Sequence, residues 1–248
     1  MGRLNGRALD ALRNVAITTG VNPHAEGSCI VKFGMTEVLC TASVQEKLPQ
    51  WMRASGKSNK ELGGWVTAEY GMLPRATGER KDREATRGKQ EGRTIEIQRL
   101  VGRAIRAVCD LKPLEGKTIW LDCDVLVADG GTRTAAITGS YVALALALAG
   151  LEKAGKLRGK VLREQVAAIS CGVGTEGVML DMDYVEDSST LADGNFVMSS
   201  GGHWVEVQVS GEQRPVTAAE VGEMQRLAEK GIQELFQLQR EVIEASLV

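Results

Sequence analysis

Lys117-Thr118-Ile119-Trp120-Leu121-Asp122-Cys123-Asp124-Val125-Leu126-Val127-Ala128 runs into Asp129-Gly130-Gly131, and Thr132-Arg133-Thr134 then opens a long apolar stretch. Ile119, Leu121, Cys123, Val125 and Val127 alternate with Trp120, Asp122, Asp124 and Leu126, the period of two that marks a strand. The glycines break it. Residues 132–153 are small and apolar with few polar positions, which predicts a helix buried on several sides. A strand feeding a buried helix through a two-glycine turn requires helices layered on sheets, so the predicted class is mixed α+β.

The flanking sequence extends this pattern in both directions. Ile97, Leu100, Val101, Ala104, Ile105 and Val108 share one helical face from Arg93 onward. Residues 28–33 and 37–44 flank Gly34-Met35-Thr36 as a hairpin, 65–72 is extended, and 49–64 is a polar exposed loop. Residues 75–91 are dense in charge and predict a loop or a marginal helix. Downstream, 166–173 and 178–182 form a second hairpin, and 195–199 and 204–209 are strands. Thr217 with Glu220 has capping-box spacing and opens a helix to about Ala245. The two halves echo each other loosely, and no linker divides them, so residues 1–248 are expected to form one domain.

Composition narrows the function. A chain of 248 residues buries about 70% of its unfolded surface, enough for a core without disulfide or metal staples. Charge totals 30 basic against 32 acidic residues, a net of −2, which excludes a uniformly basic nucleic-acid coat. The charge is segregated, however. Residues 75–106 hold ten basic and five acidic side chains, net +5, and residues 176–223 hold ten acidic and one basic, net −9. Cations to hold phosphates beside carboxylates to hold a divalent ion suit a metal-assisted enzyme on a polyanion. Aromatics at 4% argue against stacked single-strand platforms. Five cysteines without a CxxC pair read as small buried hydrophobes in a reducing, cytoplasmic setting. Two histidines exclude a three-histidine metal site. No signal peptide is expected after Met1, and the longest apolar run, 141–151, falls short of the roughly 20 residues that span a bilayer, so no membrane association is expected.

Four clusters could carry chemistry. Asp129-Gly130-Gly131-Thr132-Arg133-Thr134 places open N–H groups and a guanidinium fork at a helix start, which is an anion cradle or else a plain turn with Thr132 as N-cap. Gly92-Arg93-Thr94 repeats the pattern at a second helix start, with ordinary capping as its alternative. Arg75, Arg80, Arg83 and Arg87 form either a phosphate-contacting face, if 80–87 is helical, or a salt-bridged surface with Glu79, Asp82 and Glu84. Glu186-Asp187-Ser188 and Asp193-Gly194-Asn195 set two aspartates around a polar bend, suited to Mg²⁺ or Mn²⁺ or to turn formation alone. Asp122 and Asp124 share a strand face, aimed at a site or paired with an arginine.

The residues 64–77, Gly92-Arg93-Thr94 with 95–100, Asp122-Cys123-Asp124-Val125, 128–135 and Glu186-Asp187-Ser188 closely resemble the bacterial ribonuclease PH family, in the family's order and over nearly the whole chain. The resemblance implies a ribosomal-protein-S5-like β-α fold and a phosphorolytic 3′→5′ exoribonuclease that trims tRNA precursors. Inorganic phosphate would be co-substrate and nucleoside diphosphates the product. It assigns phosphate binding to Arg93, Gly131, Thr132 and Arg133. The catalytic and Mg²⁺ pair falls to Asp187 and Asp193, and RNA guidance to Arg75, Arg80, Arg83 and Arg99. It also implies a homo-hexamer, a trimer of dimers. The chain departs from the family at Gly194, where a methionine is usual and glycine is expected to loosen the metal loop. It departs again at Gln208-Val209-Ser210-Gly211-Glu212 and in a longer 53–63 loop, where local packing, ring contacts or RNA access would change. A non-catalytic ring subunit that only guides RNA would lack the phosphate arginines or the aspartates. A hydrolytic two-metal nuclease would carry more clustered carboxylates.

Overall fold

A computed structural model of the chain describes Arg3 and residues 6–247. The first half builds β1 (Val15–Thr19), β2 (Gly27–Phe33), β3 (Thr36–Gln45), the single turns α1 (Gln50–Arg53) and α2 (Asn59–Leu62), and β4 (Trp65–Met72). A further single turn α3 (Glu84–Arg87), the helix α4 (Gly92–Ala107), β5 (Thr118–Val127) and the central helix α5 (Thr132–Lys153) follow. The second half holds β6 (Val166–Gly174), β7 (Gly177–Leu180), α6 (Tyr184–Ser189), β8 (Ala192–Ser199), β9 (Trp204–Gly211) and α7 (Ala218–Leu247).

The strands form two sheets, ordered β1-β2-β3-β5-β4 and β7-β6-β8-β9. All neighbours are antiparallel except β4 and β5, which run parallel because α4 carries the chain back between them. The lone strand β1, with only five residues of mixed exposure, carries too weak an alternation to be read from sequence. Helix α5 packs against β2, β3 and β5 of one sheet and β6 of the other, so nearly every face of it is buried. By length and composition alone it could span a bilayer, yet it is the core helix joining both sheets. Small residues let it lie close. A Cβ at Gly27 would stand 2.0 Å from the Ala143 carbonyl oxygen, and one at Gly139 would stand 2.7 Å from Cys40 Sγ.

Cys29, Cys40 and Cys123 align across β2, β3 and β5. All five cysteines are free, four are buried and Cys109 is half-buried. Neighbouring thiols and burial push the Cys40 thiol well up, and burial pushes Cys109 up to about 12, which suits inert packing groups. At the far end, Thr217 and Glu220 form the reciprocal hydrogen bonds of a capping box at the start of α7, as their spacing predicts.

Three expectations change. Residues 80–83 are not helical, since α3 covers only Glu84–Arg87, so Arg80, Arg83 and Arg87 do not share one helical face. Asp193 sits inside strand β8 rather than in a bend. Gly194 therefore loosens nothing: it pairs with Cys171 and Val209, and a Cβ there would stand 2.8 Å from the Phe196 ring. The 53–63 stretch begins at the end of α1 and contains the single turn α2, and exposed Trp51 meets Trp65 edge-on at 5.1 Å.

Candidate active site

Both halves contribute to one small cavity of about 70 Å³. Its lining includes Arg93, Gly131, Thr132 and Arg133 from the first half and Ser170, Asp187, Asp193 and Asn195 from the second.

The cradle is the start of α5. Gly130 and Gly131 have φ of 78° and 69°, and a Cβ at Gly130 would stand 2.6 Å from the Met182 carbonyl oxygen, so a side chain is excluded by both dihedral and space. Gly131, not Thr132, is the N-cap, and no side chain caps the first turn. The turn is held from behind. Arg13 donates to the carbonyls of Asp129 at 2.6 Å and Gly130 at 3.4 Å, and Thr36 Oγ1 donates to Gly130 at 2.7 Å. Arg13 is fixed in turn by Asp181, through Nη2 at 2.7 Å and Nε at 3.1 Å, and Asp181 sits at a φ of 52°. The carbonyls of Asp129 and Gly130 are thus spent on Arg13 and Thr36, the Asp129 N–H donates to Thr36 Oγ1 at 2.9 Å, and the N–H groups of the first turn of α5 have no side-chain cap. The Thr132 hydroxyl accepts from buried Tyr70 at 2.9 Å, and Thr134 Oγ1 donates to Gly131 at 2.9 Å.

Arg133 spans the cavity mouth. Its Nη1 donates to Glu96 on α4 at 3.0 Å and to Gln208 on β9 at 3.3 Å. The Arg93 side chain, exposed at the start of α4, makes no hydrogen bond or ion pair among the described residues. Thr94 beside it is not a ligand, because its hydroxyl donates to Glu84 at 2.6 Å and ties the helix to the arginine loop. No acidic residue lies in the first turn of α5, so the positive end of its dipole faces no carboxylate of its own helix. The start of α4, by contrast, carries Glu91 as N-cap and the Glu84 carboxylate, which accepts from the Glu91 N–H at 3.3 Å.

Asp187 is presented by α6. That helix has a capping box between Asp183 and Glu186, and Arg3 and Arg7 ion-pair with buried Glu186. The Glu186 of the Glu-Asp-Ser triplet is thus a fixing point, and the Asp187 carboxylate has no hydrogen bond or ion pair among the described residues. Desolvation raises both cavity carboxyls. Asp193 is raised further by Asp187 and Glu212 with Arg133 opposing, whereas Arg93 and Arg133 oppose the shift at Asp187. Two crowded carboxylates that resist ionisation fit a hard divalent ion that keeps most of its waters, as Mg²⁺ does. Among the described residues no three metal-ligating side chains cluster. Asp122 and Asp124 lie on β5 outside this cavity, and Asp124 lines the adjacent groove with Arg83, Arg87 and Arg93. Both are raised by desolvation, Asp122 also by Glu69 and Asp124, and among the described residues neither pairs with an arginine.

The remaining basic residues fall outside the cavity. Arg83 and Arg87 line a neighbouring groove that also reaches Arg93, while Arg75 and Arg80 are exposed beside it, Arg80 ion-paired with Asp82 at 2.8 Å. Arg99 lines a separate groove with Arg103, Arg106 and Trp65, where the Arg106 guanidinium stacks 4.5 Å from the indole. Sequence reading missed Arg13, Asp181 and Ser170, and quoted Asn195 only as part of Asp193-Gly194-Asn195, without a role of its own. For Arg13 and Asp181, 168 residues apart, no local signal exists. Asp183 and Glu186 did carry a legible one, the capping-box spacing.

Comparison with known proteins follows the same lines. Residues 11–149 match "3′ exoribonuclease family, domain 1" and residues 164–231 match domain 2 of that family. The chain is 55% identical over 238 residues to Ribonuclease PH of Rhodospirillum rubrum, covering 96% of this chain and 97% of that one. It is 57% identical over 241 residues to Ribonuclease PH of Caulobacter vibrioides, covering 97% and 99%. Among solved structures, rice Rrp46 aligns with a TM-score of 0.76 at 18% identity, covering 97% of this chain and 100% of that one. The Archaeoglobus fulgidus exosome with RNA bound to the active site aligns at 0.76 and 21%, covering 95% and 92%. These two likenesses concern the fold alone.

Proposed function

We infer the chemistry from one premise: this chain belongs to the ribonuclease PH branch of the 3′ exoribonuclease family. It is a phosphorolytic 3′→5′ exoribonuclease acting on tRNA, with inorganic phosphate as co-substrate. The observation that carries the assignment of its site is the single cavity gathering Arg93, Gly131, Thr132 and Arg133 with Asp187 and Asp193.

A phosphate oxygen attacks the terminal phosphorus, the P–O3′ bond breaks, and a nucleoside diphosphate leaves while the shortened RNA keeps its 3′-oxygen and gains a proton there. The nucleophile is already an anion, so the protein needs to position and neutralise rather than deprotonate. The α5 N–H groups and the Arg93 and Arg133 guanidiniums hold the attacking phosphate, with Arg133 pre-set by Glu96 and Gln208. Asp187 and Asp193 would hold Mg²⁺ or Mn²⁺, which supplies charge neutralisation at the transferring phosphoryl group when bound. Arg75, Arg80, Arg83 and Arg99 guide the RNA, and tRNA precursors are the natural form of the substrate. A single hydrophobic cluster under both sheets supports treating residues 1–248 as one catalytic unit. Exposed Met35, Trp51, Tyr184, Val185 and Leu247 supply apolar area for assembly into a homo-hexamer, a trimer of dimers. Five unpaired thiols support a cytoplasmic location.

Product identity tests the reaction. A tRNA with extra 3′ nucleotides should release nucleoside diphosphate only when inorganic phosphate is added. Release of nucleoside monophosphate at the same rate without phosphate would replace phosphorolysis by hydrolysis.

A further inference from the structure

Ser170 lies on β6 and lines the cavity just described. Its residue is 7% exposed, and its hydroxyl has no hydrogen-bond partner among the described residues. The backbone around it is fully used, since its carbonyl accepts from the Asp181 N–H at 2.7 Å and the residue pairs with Asn195. Its neighbours Ala167, Ala168, Ile169 and Cys171 are buried and apolar. Alanine would fill this position without the penalty of a buried, unmade hydrogen bond. A serine whose hydroxyl is unpaired among the described residues and lines the cavity beside the α5 start points to a ligand that completes it.

Geometry selects the ligand. A Cβ built at Gly131 would stand 3.8 Å from Ser170 Oγ, which puts the hydroxyl against the open start of α5. In the sheet register Ser170 opposes Asn195 and Gly172 opposes Asp193, so Ser170, Asn195 and Asp193 share one face. The hydroxyl therefore stands between the α5 cradle and the Asp193 carboxylate. We propose that Ser170 Oγ donates a hydrogen bond to the inorganic phosphate held at the α5 cradle and is a further binding residue for the co-substrate. The proposal rests on the phosphorolytic reading.

The test compares Ser170→Ala and Ser170→Cys with the parent protein. Ser170→Ala should raise the KM for phosphate about tenfold to a hundredfold, the span of one hydrogen bond to a charged group. The KM for RNA should stay within twofold. Ser170→Cys, a weaker donor of similar shape, should fall between and covers the case of an alanine variant that folds poorly. A second readout needs no turnover. Inorganic phosphate alone should raise the Tm of the parent through binding, and Ser170→Ala should lose most of that rise. Without phosphate, the Tm of Ser170→Ala should equal or exceed the parent's, because no native hydrogen bond is lost. A phosphate KM and a phosphate-induced Tm rise both equal to the parent's would overturn the proposal. So would a lowered Tm without phosphate coupled to an unchanged KM, which marks a structural hydroxyl. Failure of the phosphorolytic reading shows separately, in a parent protein that needs no phosphate.

Discussion

Arg133 hydrogen-bonds through Nη1 alone, which leaves Nη2 and Nε without hydrogen-bond partners among the described residues and fixes the plane of the fork. A charged contact to phosphate contributes about 1.5–3 kcal/mol. Arg133→Ala should therefore lower kcat/KM for phosphate by about ten- to a hundredfold, and Arg133→Lys should recover only part, since a point charge replaces a planar donor pair. Steady-state kinetics at varied phosphate decides this, and the reverse addition from nucleoside diphosphates should fall in parallel. Asp193 shows the opposite balance between fold and function. Its carboxyl is raised above its usual range, so the folded state disfavours the ionised form and loses stability as pH rises through that raised value. Asp193→Asn should consequently melt at a higher temperature than the parent at neutral pH. That gain should shrink as pH falls toward the ordinary carboxylate range. Turnover should meanwhile drop about a hundredfold or more, with the loss of a ligand to the metal. A lower Tm at pH 7 would contradict the electrostatic account. The residue types at these positions were legible from motif chemistry, but the shifts were not, because desolvation depends on what β8 and α6 pack beside.

Elements were predicted best where one periodicity runs long. The alternation of β5 and the apolar face of α4 marked both, and a capping box marked the start of α7. Short elements escaped: β1 has five residues, and α6 is a six-residue helix held by its Asp183–Glu186 capping box together with the contacts of Glu186 with Arg3 and Arg7. The arginine segment before α4 is mostly irregular. Its side chains are exposed, and the Arg80–Asp82 pair contributes little to stability. Replacing Arg80 and Arg83 together by alanine should leave Tm nearly unchanged. It should weaken tRNA binding at low salt and reduce the slope of log K against log[salt] by about 1.5, from two lost phosphate contacts. Binding isotherms over a salt series measure this, and an unchanged slope would make the segment an ordinary solvated surface.

At the scale of the molecule, α5 is shared by both sheets, so the turn at its start and the two carboxylates of the second half, Asp187 on α6 and Asp193 on β8, are held by one core. Arg13 and Asp181 fasten the same junction, joining the N-terminal segment, the Asp129-Gly130-Gly131 turn and the end of β7. Six copies of a 26.6 kDa chain give about 160 kDa, the mass expected from light scattering at micromolar concentration for a trimer of dimers. A mass near that of one chain would overturn the hexamer, and the 53–63 segment beside exposed Trp51 would be the first place to shorten.

From the sequence alone came the class, the strand-turn-helix at 117–153, and the residue types of the site, because alternation, helical spacing and glycine turns are local properties of the chain. The resemblance added roles to Arg93, Arg133, Asp187 and Asp193. Only the tertiary structure decided that these four meet in one cavity, that Gly131 rather than Thr132 caps α5, and that Asp193 is a strand residue. It also revealed Arg13, Asp181 and Ser170. Their partners lie on elements distant in sequence, and burial and hydrogen bonding across such distances leave no periodic trace for a single sequence to display.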